Sequence, residues 1–145
     1  MKKLLIYVCA ALFAACAPQN RTPKVCPPEP TTPIISSATT PDTDPDPFCF
    51  SDVTQVDPDP TQAVSSNSIT VRGINRPAPI RSSNQTVLYV NDQYLEYFYE
   101  NTPSKTVNPG DKVRVLVSPS NRSGETVTAT VTIGTVSSTF SVTTK

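Results

Sequence analysis

Thr126-Val127-Thr128-Ala129-Thr130-Val131-Thr132-Ile133-Gly134 alternates apolar and polar residues without a break. Period two places Val127, Ala129, Val131 and Ile133 on one face of an extended chain, with threonines on the other. Gly134 ends the run, and residues 136–142 resume it with Phe140 and Val142 on one face. The stretch therefore predicts two half-buried strands, and a sheet must bury that apolar face against another layer.

The same period extends upstream. Phe48-Cys49-Phe50-Ser51-Asp52-Val53 begins it, Ser68-Ile69-Thr70-Val71-Arg72-Gly73-Ile74 alternates, and Ile80 sits in a short extended piece. Thr86-Val87-Leu88-Tyr89-Val90 reads as a strand, Asn91-Asp92-Gln93 as a turn, and residues 94–100 as the returning strand. Asn108-Pro109-Gly110-Asp111 is a turn signal before Lys112-Val113-Arg114-Val115-Leu116-Val117, and Ser120-Asn121-Arg122-Ser123-Gly124 turns the chain again. No stretch has a helical stripe. Seven or eight short strands over residues 48–145 predict an all-β domain, a single antiparallel β-sandwich of immunoglobulin-like size, with a small barrel as the alternative.

Residues 17–47 differ in composition. Nine prolines alternate with many Thr and Ser, and Ile34-Ile35 is nearly the only apolar content between Thr31 and Thr40. Proline fixes φ and removes a backbone donor, so helix and central strand are excluded. Fully extended as polyproline II, this segment would reach on the order of 95 Å and act as a spacer. Asp42-Thr43-Asp44-Pro45-Asp46-Pro47 is acidic and is echoed by Asp57-Pro58-Asp59-Pro60. An EF-hand loop needs Gly at its sixth place and an acid at its twelfth. Here those places hold Pro47 and Val53, so these segments read as solvated turns, with weak Ca²⁺ binding the other reading.

The N-terminus has its own pattern. Lys2 and Lys3 precede about ten apolar residues, too few to span a bilayer, which takes about 20. Leu12-Phe13-Ala14-Ala15-Cys16 then resembles the lipobox of bacterial lipoproteins. The resemblance implies a signal peptide over residues 1–15, lipidation of Cys16, and a lipidated linker over residues 16–47 ahead of the domain at 48–145. Phe13 replaces the usual Leu. Ala17 is not the Asp that typically retains such proteins in the inner membrane, which implies the outer membrane. Several acyl chains anchor stably where one does not. The membrane is thus the first expected partner.

Twelve basic side chains less Lys2 and Lys3 leave ten against twelve acidic, a mature charge of −2. No basic run remains, so nucleic acid is not an expected partner. Histidine is absent. That removes the commonest general base and excludes Ser-His-Asp and Cys-His arrangements within the chain. No catalytic residue and no cofactor is assigned.

Cys9 leaves with the signal, and Cys26 and Cys49 remain in a disulfide-permissive compartment. One reading joins them, closing a loop of about 24 residues and stabilising by about 3 kcal/mol. The other bonds Cys26 to a partner, because a cysteine about ten residues after the lipidated one resembles small lipoproteins of type IV secretion core complexes. Two cysteines without histidine fall short of a zinc site.

Residues 66–80, 106–113 and 129–144 also resemble a β-sandwich module of bacterial exported proteins, commonly in tandem but single here. The module implies no chemistry. Function is expected at Tyr94, Tyr97, Phe98 and Tyr99, with Tyr89 nearby. Strict alternation would put Tyr94, Glu96, Phe98 and Glu100 on one face and Leu95, Tyr97 and Tyr99 on the other. One face packs as core; the other presents its rings either to solvent, as a well-packed edge of amphipathic tyrosines, or to a partner protein or carbohydrate, for which tyrosine supplies contact area at low entropy cost. Glu96 and Glu100 are weak grounds for a glycosidase pair. The expected role is a non-catalytic subunit of a cell-envelope complex, with a surface-displayed adhesion or carbohydrate-binding module as the alternative.

Overall fold

The computed structural model describes residues 22–31, 33–83, 86–98 and 105–145. The expected lipidation site, Cys16, lies outside them, as does Tyr99. Ten strands and no helix occur among the described residues. They are β1 (Val53–Val56), β2 (Val64–Ser65), β3 (Ile69–Thr70), β4 (Ala78–Ser82), β5 (Thr86–Val90), β6 (Gln93–Phe98), β7 (Lys105–Val107), β8 (Lys112–Val117), β9 (Thr126–Ile133) and β10 (Val136–Thr144). One sheet has the order β1-β10-β9-β4-β7 and the other β2-β8-β5-β6, with β3 also on β8. The chain is all-β, two sheets around one core.

The β9–β10 hairpin forms as its period requires. Eight residue pairs run from Val136 opposite Ile133 to Thr143 opposite Thr126. Ala129, Val131, Ile133, Phe140 and Val142 are fully buried, and they meet Leu88, Val113, Val115 and Val117 of the other sheet in the same apolar cluster. Phe50, Val71 and Ile74 complete it from loops. Burying such side chains contributes about 1.5–3 kcal/mol each before entropy is counted.

Three expectations change. First, residues 68–74 do not form one continuous strand. Val64–Ser65 and Ile69–Thr70 pair along the same strand, β8, with a break between them. Ser66 fills that break: its hydroxyl accepts from the Val115 N–H at 3.0 Å and donates to the Asn67 carbonyl at 2.7 Å. The buried ladder thus stays satisfied. Second, the sandwich is not wholly antiparallel, because β1 pairs with β10 in parallel. A bulge lies between Val53 and Val56, with Gln55 at φ 61°. An extra residue of this kind bends an edge strand and blunts it as a template for further pairing.

Third, the Pro/Thr-rich segment is extended as expected, but it does not stand off as a spacer. From Lys24 to Pro47 it is strapped to the domain. Lys24 and Asp52 exchange bonds: the Lys24 N–H donates to Asp52 Oδ2 at 2.9 Å, and the Asp52 N–H donates to the Lys24 carbonyl at 2.8 Å. Glu29 accepts from the Thr70 N–H at 2.5 Å and from its hydroxyl at 2.9 Å. Ile35 makes a parallel bridge with Ile74. Asn75 donates to the carbonyls of Ala38 and Thr40, and its Oδ1 accepts from the Asp42 N–H at 2.8 Å. Pro45 is buried. Prolines keep this chain extended and without internal ladders, so its remaining polar groups pair with the domain instead.

Candidate functional site

The turn between β5 and β6 decides the geometry of the tyrosine cluster. Asn91 and Asp92 have φ of 51° and 61°. Positive φ at both central residues suits a two-residue hairpin, and Asn and Asp tolerate it. Asn91 also ties the hairpin to the neighbouring strand. Its Nδ2 donates to Asp111 Oδ1 at 2.9 Å, its Oδ1 accepts from the Lys112 N–H at 2.9 Å, and its N–H donates to the Lys112 carbonyl at 2.8 Å. Asp111 in turn accepts from the Asn108 N–H at 2.7 Å. The hairpin end is therefore braced against β8.

Register then brings three side chains together on the outer face of this sheet. Tyr89 lies opposite Tyr94 on one side and Arg114 on the other. The tyrosine rings meet edge to face, with centroids 6.1 Å apart at 84°. The Arg114 guanidinium carbon sits 4.1 Å from the Tyr89 centroid, a cation–π contact. Arg114 also reaches Asp92 and the Ser65 hydroxyl, each at 3.4 Å. Asp92 is almost fully exposed, so that ion pair orients the guanidinium more than it stabilises the fold. Tyr94 is 58% exposed, more than half of a large amphipathic side chain.

The strict alternation expected for residues 94–100 fails at one point. Leu88 pairs with Glu96 and Tyr89 with Tyr94, so Leu95 is an extra residue in a bulge. Leu95 packs against the core. Beyond it, the register sets Tyr97 opposite Val87 and Phe98 opposite Thr86. The bulge shifts the pairing register of β6 on β5 by one residue, which sequence alternation alone does not reveal. Tyr99 and Glu100 fall outside the described residues, so the Glu96–Glu100 pairing is not part of this geometry.

Cys26 and Cys49 form a disulfide, with Cα atoms 5.7 Å apart. Of the two readings of Cys26, the intramolecular bond is the one present. The bridge fastens the strap beside Ser51, whose hydroxyl accepts from the Cys26 N–H at 3.0 Å. The acidic segments serve local backbone. Asp44 Oδ1 accepts from the Thr135 N–H at 2.9 Å, and Asp59 Oδ1 accepts from the Thr61 N–H and hydroxyl. Those Thr61 bonds hold the Asp59 carboxyl below its ordinary range. No group of three or more His, Cys, Asp or Glu that could hold a metal gathers among the described residues.

Arg114, Asp92 and Ser65 belong to this surface and were not among the residues singled out from the sequence. The outward position of Arg114 is legible in the alternation of 112–117. Its contact with Tyr89 depends on strand order, which no local pattern encodes. Compared with protein-family models, curated proteins and solved structures, the chain matches none of them.

Proposed function

We propose that this is a lipid-anchored protein of the bacterial cell envelope, held in the outer membrane through Cys16, whose domain is a non-catalytic docking subunit of a larger assembly. The observation that carries this reading is the exposed Tyr94 beside Tyr89 and Arg114 on a braced hairpin. Tyrosine and arginine are the side chains most enriched where protein partners bind tightly, and a rigid patch loses little entropy on docking. A polysaccharide ligand is the second reading, favoured by the same open aromatic ring.

Gentle detergent extraction from the native cell, followed by size-exclusion chromatography and mass spectrometry, tests the proposal. Co-elution with a stoichiometric protein, lost in Tyr94→Ala and Arg114→Ala, supports the assembly role. Elution alone, with retention on polysaccharide that Tyr94→Ala abolishes, replaces it with the glycan-binding role. Cys16→Ser should release the protein from the membrane fraction, and a mutant that stays bound refutes the anchor.

A further inference from the structure

The strap leaves the domain across one particular surface. The outer face of β9 and β10 is a field of hydroxyls. Thr126 with Thr143, Thr128 with Ser141, and Thr132 with Ser137 share O–H···O bonds at 2.8, 3.0 and 2.8 Å. No charged side chain occurs between Thr126 and Thr144. Lys24 lies on this face, where its ammonium donates to the Thr139 carbonyl and, at 3.1 Å, to the Thr139 hydroxyl. Asp52 Oδ1 beside it accepts from the Ser141 N–H at 3.0 Å. Thr22 and Pro23 line a shallow cleft here with Thr54 and Thr126.

We infer that this hydroxyl face rests on the polar headgroup layer of the bilayer that holds the anchor, an inference that depends on the lipidation of Cys16 proposed above. Chain length is the first argument. Thr22 is six residue steps beyond Cys16, and an extended chain covers at most about 3.6 Å per step, so the anchor lies within about 22 Å of this face. A domain of 100 residues has a radius of gyration of about 13 Å. The span is therefore comparable with the domain itself, far below the spacer length that composition implies. Charge is the second argument. The β9–β10 strip itself holds hydroxyls already bonded to one another, which lose less on leaving water than charged groups do, and the exposed Arg81 opposite Thr132 is a second cation on this sheet besides Lys24. Polar headgroups offer partners to hydroxyls, and Lys24 is placed to meet their phosphates.

The chain has no tryptophan, so a single introduced one reports alone. The full lipidated protein carrying Thr128→Trp or Thr130→Trp is placed in phosphatidylcholine vesicles whose headgroups bear a nitroxide quencher. Tyr94→Trp in the same vesicles is the reference, and the shared residue type cancels tryptophan's own preference for the interface. Quenching several-fold stronger at position 128 or 130 is expected. Equal quenching, or stronger quenching at position 94, overturns the inference while leaving the anchor intact. Mass spectrometry of Cys16 is read first, because an unmodified cysteine overturns the anchor reading itself. Two alternative hydroxyl positions keep the test available if one variant does not fold.

Discussion

Gly134, in the turn between β9 and β10, lies directly under the carbonyl of Thr43 in the strap: a side chain at position 134 would overlap that oxygen and crowd Asp44 Oδ1. The second crossing has the same form. A Cβ on Gly73 would stand 2.8 Å from the Asp46 backbone nitrogen. Both glycines also have positive φ, 58° and 81°. At both crossings, therefore, the strap passes over the domain where only glycine leaves room.

Gly134→Ala should destabilise by about 1–3 kcal/mol, combining the left-handed backbone penalty with displacement of the strap. Gly124→Ala is the matched control. Its φ is 76°, but nothing lies within 4 Å of the added carbon. Urea midpoints of the two variants separate the terms. Equal losses would mean that the strap crossing contributes nothing.

Cys26→Ser/Cys49→Ser should cost about 3 kcal/mol, as expected for a loop closed over a separation of 23 residues. Proteolysis should then cut first between residues 27 and 33, because this stretch of strap loses its covalent fastening while Lys24 keeps its bonds to Asp52. Limited digestion with and without reductant reads this directly. Uniform cleavage throughout the domain would show that strap and sandwich unfold as one unit.

Tyr94→Ala should change stability by no more than about 0.5 kcal/mol, because the side chain is largely in solvent. A double-mutant cycle of Tyr89→Leu and Arg114→Ala should give a coupling of about 0.5–1 kcal/mol between Tyr89 and Arg114, the value of a partly exposed cation–π contact. Thermal or chemical unfolding of the parent protein, the two single variants and the double variant supplies the cycle. Zero coupling would make the Arg114 position incidental.

Glu125 should titrate below the ordinary glutamate range. The Ser120 hydroxyl donates to Oε2 at 2.5 Å and favours the charged form, with Arg122 adding to it. A lowered folded pKa contributes stability at neutral pH that disappears as pH falls through the folded value. Ser120→Ala should raise the titration midpoint of Glu125 and flatten this acid-side loss. Side-chain carboxyl NMR across the acidic range measures both variants.

The core was legible because a half-buried strand writes its inward face into the sequence every second residue. Ala129, Val131, Ile133, Phe140 and Val142 are buried where alternation puts them. The Asn91-Asp92 turn was legible for a local reason too, since its backbone demands residues that tolerate positive φ. At the candidate site the same logic reached Tyr94 but not the bulge at Leu95, which leaves no mark in a pattern of hydrophobic and polar letters.

Local chemistry, then, determined strands, turns and the extended character of residues 23–47, all of which depend on nearest neighbours along the chain. Which strands lie side by side, that Arg114 stands over Tyr89, and that a proline-rich segment grips the sandwich through Asn75, Asp52 and two glycines were decided only by tertiary structure. Those contacts join residues 25 to 91 positions apart, and their partners are set by sheet order and register.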